Sequence, residues 1–191
     1  MPPAIRFTRE AVLAAATQLV RREGASALNA RSVAREVGGS TQPIFRIFSG
    51  MEELLDALLT EVAESFFNGM RERMATAGDP YLAMQLHYVA FANDEPELFK
   101  FLFLRDRITT GTYTTELEDY EKAYAVIQQS YHISHDQARA LFTRTWTFAH
   151  GMAVSIATKY VPGISNEVIS GLLQENCQAV ARQLGIALPE V

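Results

Sequence analysis

Residues 29–54, NARSVAREVGGSTQPIFRIFSGMEEL, constrain this chain more than any other segment, because they spell two short helices around a glycine turn with a long helix behind them. Asn29 is a good N-cap, and Val33, Ala34 and Val37 lie beyond it at the three-to-four-residue spacing of a buried helix face. Gly38 is placed to close that helix in the left-handed conformation, Gly39 to let the chain turn, and Ser40 to cap the second helix. Pro43 falls in the first turn of that helix, where its missing N–H costs little, and Ile44, Ile47 and Phe48 recur at inward spacing. Thr41, Gln42, Phe45 and Arg46 are left facing outward. A helix-turn-helix with that outer face suits the edge of a DNA major groove.

Helix pairs joined by glycine occur in many helical proteins that never meet nucleic acid, so the charge distribution matters. Residues 1–50 hold seven arginines and three glutamates, a net of +4; residues 51–191 hold ten basic and nineteen acidic groups, a net of −9. A chain of net charge −5 that keeps its positive charge on the end bearing the helix-turn-helix has the asymmetry of a DNA-binding head on an acidic body.

The segment resembles the TetR (AcrR-like) transcriptional regulators. Their N-terminal pattern runs Thr-x-Arg-x-Ile-Ala, Gly-Val-Ser, Tyr-x-Tyr-Phe and Lys-Glu-Glu-Leu. The corresponding stretches here are Asn29-Ala30-Arg31-Ser32-Val33-Ala34, Gly38-Gly39-Ser40, Phe45-Arg46-Ile47-Phe48 and Met51-Glu52-Glu53-Leu54. The resemblance implies an all-α chain of about nine helices: a three-helix DNA-binding domain over 1–50, and a helical bundle over 51–191 for ligand binding and dimerisation. The expected DNA-contacting set is Asn29, Arg31, Ser40, Thr41, Gln42, Pro43, Phe45 and Arg46. Phe45 and Met51 depart from the family's tyrosine and lysine, and each loses a polar partner for phosphate. A helical ligand- or partner-binding dimer with a weakened or vestigial head is therefore the alternative reading.

At 191 residues and 48% hydrophobic, the chain has material for a small head and one larger core, without a catalytic domain besides. Met1 to Phe7 lack an apolar stretch of the signal-peptide kind and no run is long enough to span a bilayer, so a cytoplasmic protein without membrane partners is expected. The single cysteine, Cys177, excludes an intrachain disulfide. There is no Glu-x-x-His pair of a di-iron bundle, no nucleophile elbow and no phosphate loop, so no enzyme, cofactor or metal is expected. His132, His135 and Asp136 cluster at a helix start, where capping explains them better than metal binding.

Along the chain, Thr8 is expected to cap a first helix to about Arg22, with Val12, Ala15, Ala16 and Leu19 inward. A long helix runs from Gly50 to about Ala77, with Leu55, Leu58, Val62, Phe66, Met70 and Met74 as its apolar stripe. Gly78-Asp79-Pro80 and Asp94-Glu95-Pro96 break the pattern, and Thr109-Thr110-Gly111-Thr112 reads as a loop before a helix from about Thr114 to Tyr131. Ser134 to Gln137 is a capping box opening a helix to about Tyr160, and the last helix spans Asn166 to Leu184.

Trp146 to Gly151 resembles the Trp-x-x-x-His-Gly element of one C-terminal subclass of the family, and Tyr88 to Phe103 is similar to the segment preceding it. Met84, His87, Tyr88, Phe91, Phe99, Phe103, Tyr124, Trp146 and His150 are the candidate lining of a pocket for a small hydrophobic or aromatic effector, or else ordinary core. Gly151, Ala153, Ala157, Leu172, Leu173, Asn176, Ala179 and Val180 are the candidate homodimer interface on the last two helices. A dimer would set two heads on successive major grooves of a pseudo-palindromic operator.

Overall fold

The computed structural model describes residues 7–105 and 113–188, with the side chains of 113–119 left aside. Among the described residues there are nine α-helices and no strand. They fall into two compact units, one comprising the described residues up to Phe67 together with Glu95–Arg105, the other Asn68–Asp94 with the described residues from Tyr113 onward. The predicted loop at Thr109 to Thr112 lies outside the described residues.

In the first unit, α1 (Arg9–Glu23) begins where the Thr8 hydroxyl accepts from the Ala11 N–H at 3.2 Å. It buries Val12, Leu13, Ala16, Leu19 and Val20 and ends at Gly24, whose φ of 81° few other residues adopt. Ala15, expected inward, is only half-buried. After a 3₁₀ turn at Ala25–Ala27, α2 (Ala30–Val37) starts under the Asn29 side chain, which accepts from the N–H groups of Arg31 and Ser32. A Schellman closure terminates it: Gly38 is left-handed, its N–H reaches the Arg35 carbonyl at 3.1 Å, and the Gly39 N–H reaches that of Ala34 at 2.8 Å.

The next helix, α3 (Ile44–Ile47), is a single turn with Pro43 before it. Ser40 does not cap it; the Thr41 carbonyl accepts from the Ile44 and Phe45 N–H groups instead, because Pro43 sets the start of the turn three residues later than the serine. α4 (Met51–Thr76) is 26 residues long, about 39 Å at 1.5 Å per residue. Its buried row is Leu54, Leu58, Val62 and Phe66, a strict i, i+4 series. The expected stripe began one residue late: Leu55 stands about 100° around the helix from Leu54 and is half-buried, as are Met70 and Met74. Within this unit α1 packs on α2 and on α6 (Pro96–Phe103), and Phe66 meets Phe103 edge-to-face at 5.0 Å between ring centres.

The second unit is built on α5 (Pro80–Asp94), which packs against α7 (Tyr113–Tyr131), α8 (His135–Ala157) and α9 (Asn166–Gln183). Asp79 opens α5 by accepting from the Leu82 N–H at 2.9 Å, and it also accepts from the Tyr131 hydroxyl at 2.8 Å. The capping box of α8 is complete, with the Ser134 hydroxyl accepting from the Gln137 N–H and the Gln137 side chain accepting from the Ser134 N–H. α8 stops at Ala157 rather than near Tyr160, since Lys159 adopts a left-handed φ of 60° and the Tyr160 N–H turns back to the Ser155 carbonyl.

The core of this unit includes Tyr81, Tyr124, Ile127, Tyr131, Leu141, Phe142 and Cys177. Tyr81 and Thr145 share a hydrogen bond inside it, and the Thr145 hydroxyl also donates to the Leu141 carbonyl, so both hydroxyls are satisfied where water does not reach. Burial raises the Tyr81 and Tyr131 phenols above their ordinary range. No helix among the described residues is long and apolar enough to cross a membrane.

Candidate nucleic-acid interface

The geometry of the helix-turn-helix rests on two buried anchors, one on the four-residue helix α3 and one at its C-terminal cap. Ile44 and Phe48, one turn apart, are each 1% exposed, and the Arg9 guanidinium lies 4.8 Å from the centre of the Phe48 ring. With those two side chains fixed, Gln42, Phe45 and Arg46 have no inward direction left and are exposed, while Thr41 and Pro43 are half-buried. Asn29, Arg31 and Ser40 are also exposed, Asn29 with its side-chain oxygen committed to the α2 cap. Arg22 is spent on structure: its guanidinium grips the Glu36 carboxylate through two bonds of 3.0 Å, joining α1 to α2 and holding the Glu36 carboxyl below its ordinary range.

A Cβ built at Gly39 would overlap the Phe7 ring, which packs against the turn from the chain segment before α1. Behind α3, the Ser49 N–H donates to a Glu53 carboxylate oxygen at 2.7 Å, fixing the entry to α4 and lowering the Glu53 pKa through that bond.

The nine residues expected to line an effector pocket divide between the units. Phe99 and Phe103 belong to the first, with their rings 5.2 Å apart; the other seven belong to the second. There, Tyr88 and His150 share a hydrogen bond of 2.8 Å between the phenol and Nδ1, and Trp146 stacks on His150 at 4.8 Å and 9°. Tyr124 packs edge-to-face on Phe142 in the core, while Met84, His87 and Phe91 are half-buried. An open cavity of about 590 Å³ in this unit lies elsewhere: Arg71, Met74, Asp79, Pro80, Val126 and Tyr131 are among its walls, and none of the nine lines it.

Gln85 is the residue that sequence reasoning passed over. It is 3% exposed on α5, its amide lies beside the Tyr81 phenol and interacts with it, and neither Nε2 nor Oε1 has a partner of good hydrogen-bond geometry among the described groups. A buried amide with spare hydrogen-bonding capacity is a candidate anchor for a polar ligand atom or a water. Its signal was there to read, as a polar side chain in the buried series Tyr81, Gln85, Val89.

The candidate interface residues differ in their exposure. Ala153, Ala157 and Leu173 are fully buried and Val180 is 8% exposed, so these side chains are taken up inside their own chain. Gly151 and Leu172 are exposed, Asn176 and Ala179 half-buried, and the large apolar side chains left open on α8 and α9 are Phe148, Val168 and Leu172. At the start of α8, His135 Nε2 lies 3.0 Å from Glu121 on an exposed surface, and among the described residues no three metal-binding side chains converge.

This architecture, a helix-turn-helix leading into a helical bundle, defines the class. Residues 12–58 match the family model described as bacterial regulatory proteins, tetR family. Solved structures share the fold. A putative TetR-family transcriptional regulator from Vibrio parahaemolyticus is 19% identical with a TM-score of 0.59, over 90% of this chain and 97% of that one. The fatty acid degradation regulator FadR from Bacillus halodurans is 14% identical with a TM-score of 0.63, over 90% and 93%. A TetR-family transcriptional regulator from Haemophilus influenzae is 18% identical with a TM-score of 0.56, over 90% and 94%. No curated protein sequence matches. The chain thus carries a tetR-family N-terminal domain on a TetR-like all-helical fold.

Proposed function

We propose that the protein is a ligand-responsive transcriptional regulator, a repressor that binds a pseudo-palindromic operator as a homodimer. The observation that carries this reading is the α3 surface: Ile44 and Phe48 are buried while Phe45 and Arg46 on α3 and Gln42 in the turn before it are exposed, on the end of the chain that carries net positive charge. Thr41, Gln42 and Arg46 address base edges and nearby phosphates, with Asn29, Arg31, Ser40 and Pro43 beside the DNA backbone. Residues 1–50 serve as the DNA-binding domain and 51–191 as the effector-binding and dimerisation domain.

A second copy is the partner proposed for α8 and α9, where Phe148, Val168 and Leu172 are 37%, 51% and 38% exposed beside the open Gly151. The effector proposed is a small hydrophobic or aromatic molecule held near Tyr88, Trp146 and His150, with Gln85 as a further polar anchor; the Trp146 to Gly151 element is the basis for assigning the C-terminal subclass. A ligand favouring one arrangement of the body weakens or strengthens operator binding by linkage.

The test is selection of genomic fragments by the purified protein at near-physiological salt, with sequencing of the bound fraction. A recurring pseudo-palindrome, with affinity falling steeply as salt rises, supports the regulator. Absence of enrichment at low salt supports the second reading, a helical dimer whose head no longer binds DNA, which the missing hydroxyl at Phe45 and missing amine at Met51 favour.

A further inference from the structure

We infer that Phe45 reads the C5-methyl group of a thymine in the operator, which makes it a specificity-determining residue rather than a weakened phosphate contact; this rests on the DNA-binding reading above. Phe45 is 49% exposed, although Ile44 before it on α3 and Phe48 at the C-terminal cap are each 1% exposed. The helix is therefore anchored without it. A lone exposed phenyl is ordinary on a protein surface. This one stands on α3 next to the exposed Arg46, with the exposed Gln42 in the turn just before the helix.

A phenyl ring can neither donate nor accept a conventional hydrogen bond, so it cannot replace a hydroxyl at a phosphate oxygen. In the major groove the one apolar group on a base edge is the thymine methyl, and contact with it is the favourable role left to such a ring. Gln42 and Arg46 supply polar readout of neighbouring bases, while Phe45 discriminates thymine from cytosine by a group that makes no hydrogen bond. The preference is therefore for a thymine at one fixed position of each half-site.

The measurement uses the operator recovered by selection, resynthesised with deoxyuridine at one thymine at a time, so that only the methyl is lost. Binding is measured by fluorescence anisotropy for the wild-type protein, Phe45→Ala and Phe45→Leu. Burying one methyl corresponds to about fourfold in affinity, and to about fifteenfold when both half-sites are changed. The expected result is one position per half-site at which uracil costs the wild type that much, Phe45→Leu less, and Phe45→Ala nothing. Indifference to uracil at every position, or a loss that persists in Phe45→Ala, overturns the inference while leaving DNA binding intact. A wild-type protein that binds no duplex at low salt overturns the DNA-binding reading and this inference with it.

Discussion

The Nε of Arg21 donates to both carboxylate oxygens of Glu95, at 3.0 Å and 2.8 Å, across 74 residues of sequence. The pair fastens α1 to the start of α6, beside Gly24, where a Cβ would meet a Glu97 carboxylate oxygen at 2.9 Å. Both partners are partly exposed, at 39% and 29% of their side-chain areas, so solvent screens the attraction. A double-mutant cycle with Arg21→Ala and Glu95→Ala in urea unfolding should give a coupling of about 0.2–1 kcal/mol, shrinking as salt is added. A coupling indistinguishable from zero at low salt would mean the geometry is not held in solution.

Gly39 is fixed by its neighbour rather than by its own backbone angles. Gly39→Ala should destabilise by about 1–3 kcal/mol, because the added methyl meets the Phe7 ring. Phe7→Ala in the same chain should restore most of that loss, and thermal denaturation of the two single variants and the double variant decides it. Additive losses would sink the explanation.

Lys159 sits at φ 60° in a position where a helix normally ends with glycine. Lys159→Gly should stabilise by about 1 kcal/mol, since glycine adopts the left-handed conformation without the Cβ clash. Urea midpoints compare the variants directly, and Lys159→Ala serves as the control for loss of the charge.

If α8 and α9 meet a second copy, a charge on their open face must break the pair. Phe148→Glu with Leu172→Glu should convert a dimer into a monomer of 21.3 kDa by light scattering, with helical content unchanged. A wild-type protein already at the monomer mass would refute the assignment of this face.

Cys177 is buried, and burial pushes its thiol up to about 11 from an ordinary 9.0. The folded state therefore favours the neutral thiol. This contribution is complete below pH 9 and is lost as pH rises through 11, and the raised Tyr81 and Tyr131 phenols add losses of the same sign as pH rises above their ordinary 10.0. The native protein should be unreactive toward Ellman's reagent at pH 8 and react fully once denatured. Stability measured from pH 8 to 11 should fall, and fall less steeply in Cys177→Ala.

Local chemistry made much of this chain legible as text. The caps at Thr8, Asn29 and Ser134, the Gly38 closure and the breaks before Pro80 and Pro96 all act through groups within a few residues of one another, so spacing alone places them. Of the expected outward set, Gln42, Phe45 and Arg46 are exposed around the buried Ile44 and Phe48, while Thr41 is half-buried.

Tertiary structure decided what depends on neighbours far along the chain. Leu54 and Leu55 are equal candidates in sequence, and only packing chose Leu54. Ala153, Ala157 and Leu173 read the same whether they face a partner or their own core, because an apolar side chain carries no mark of which surface will cover it. Phe99 and Phe103 could not be separated from Tyr88, Trp146 and His150 by composition, and that the Tyr81 phenol meets Thr145 from α8 is visible only in the folded chain. Helix ends are written in the backbone's short-range hydrogen bonding; which faces meet, and which polar groups are left over, is written in contacts that exist only after the chain has closed on itself.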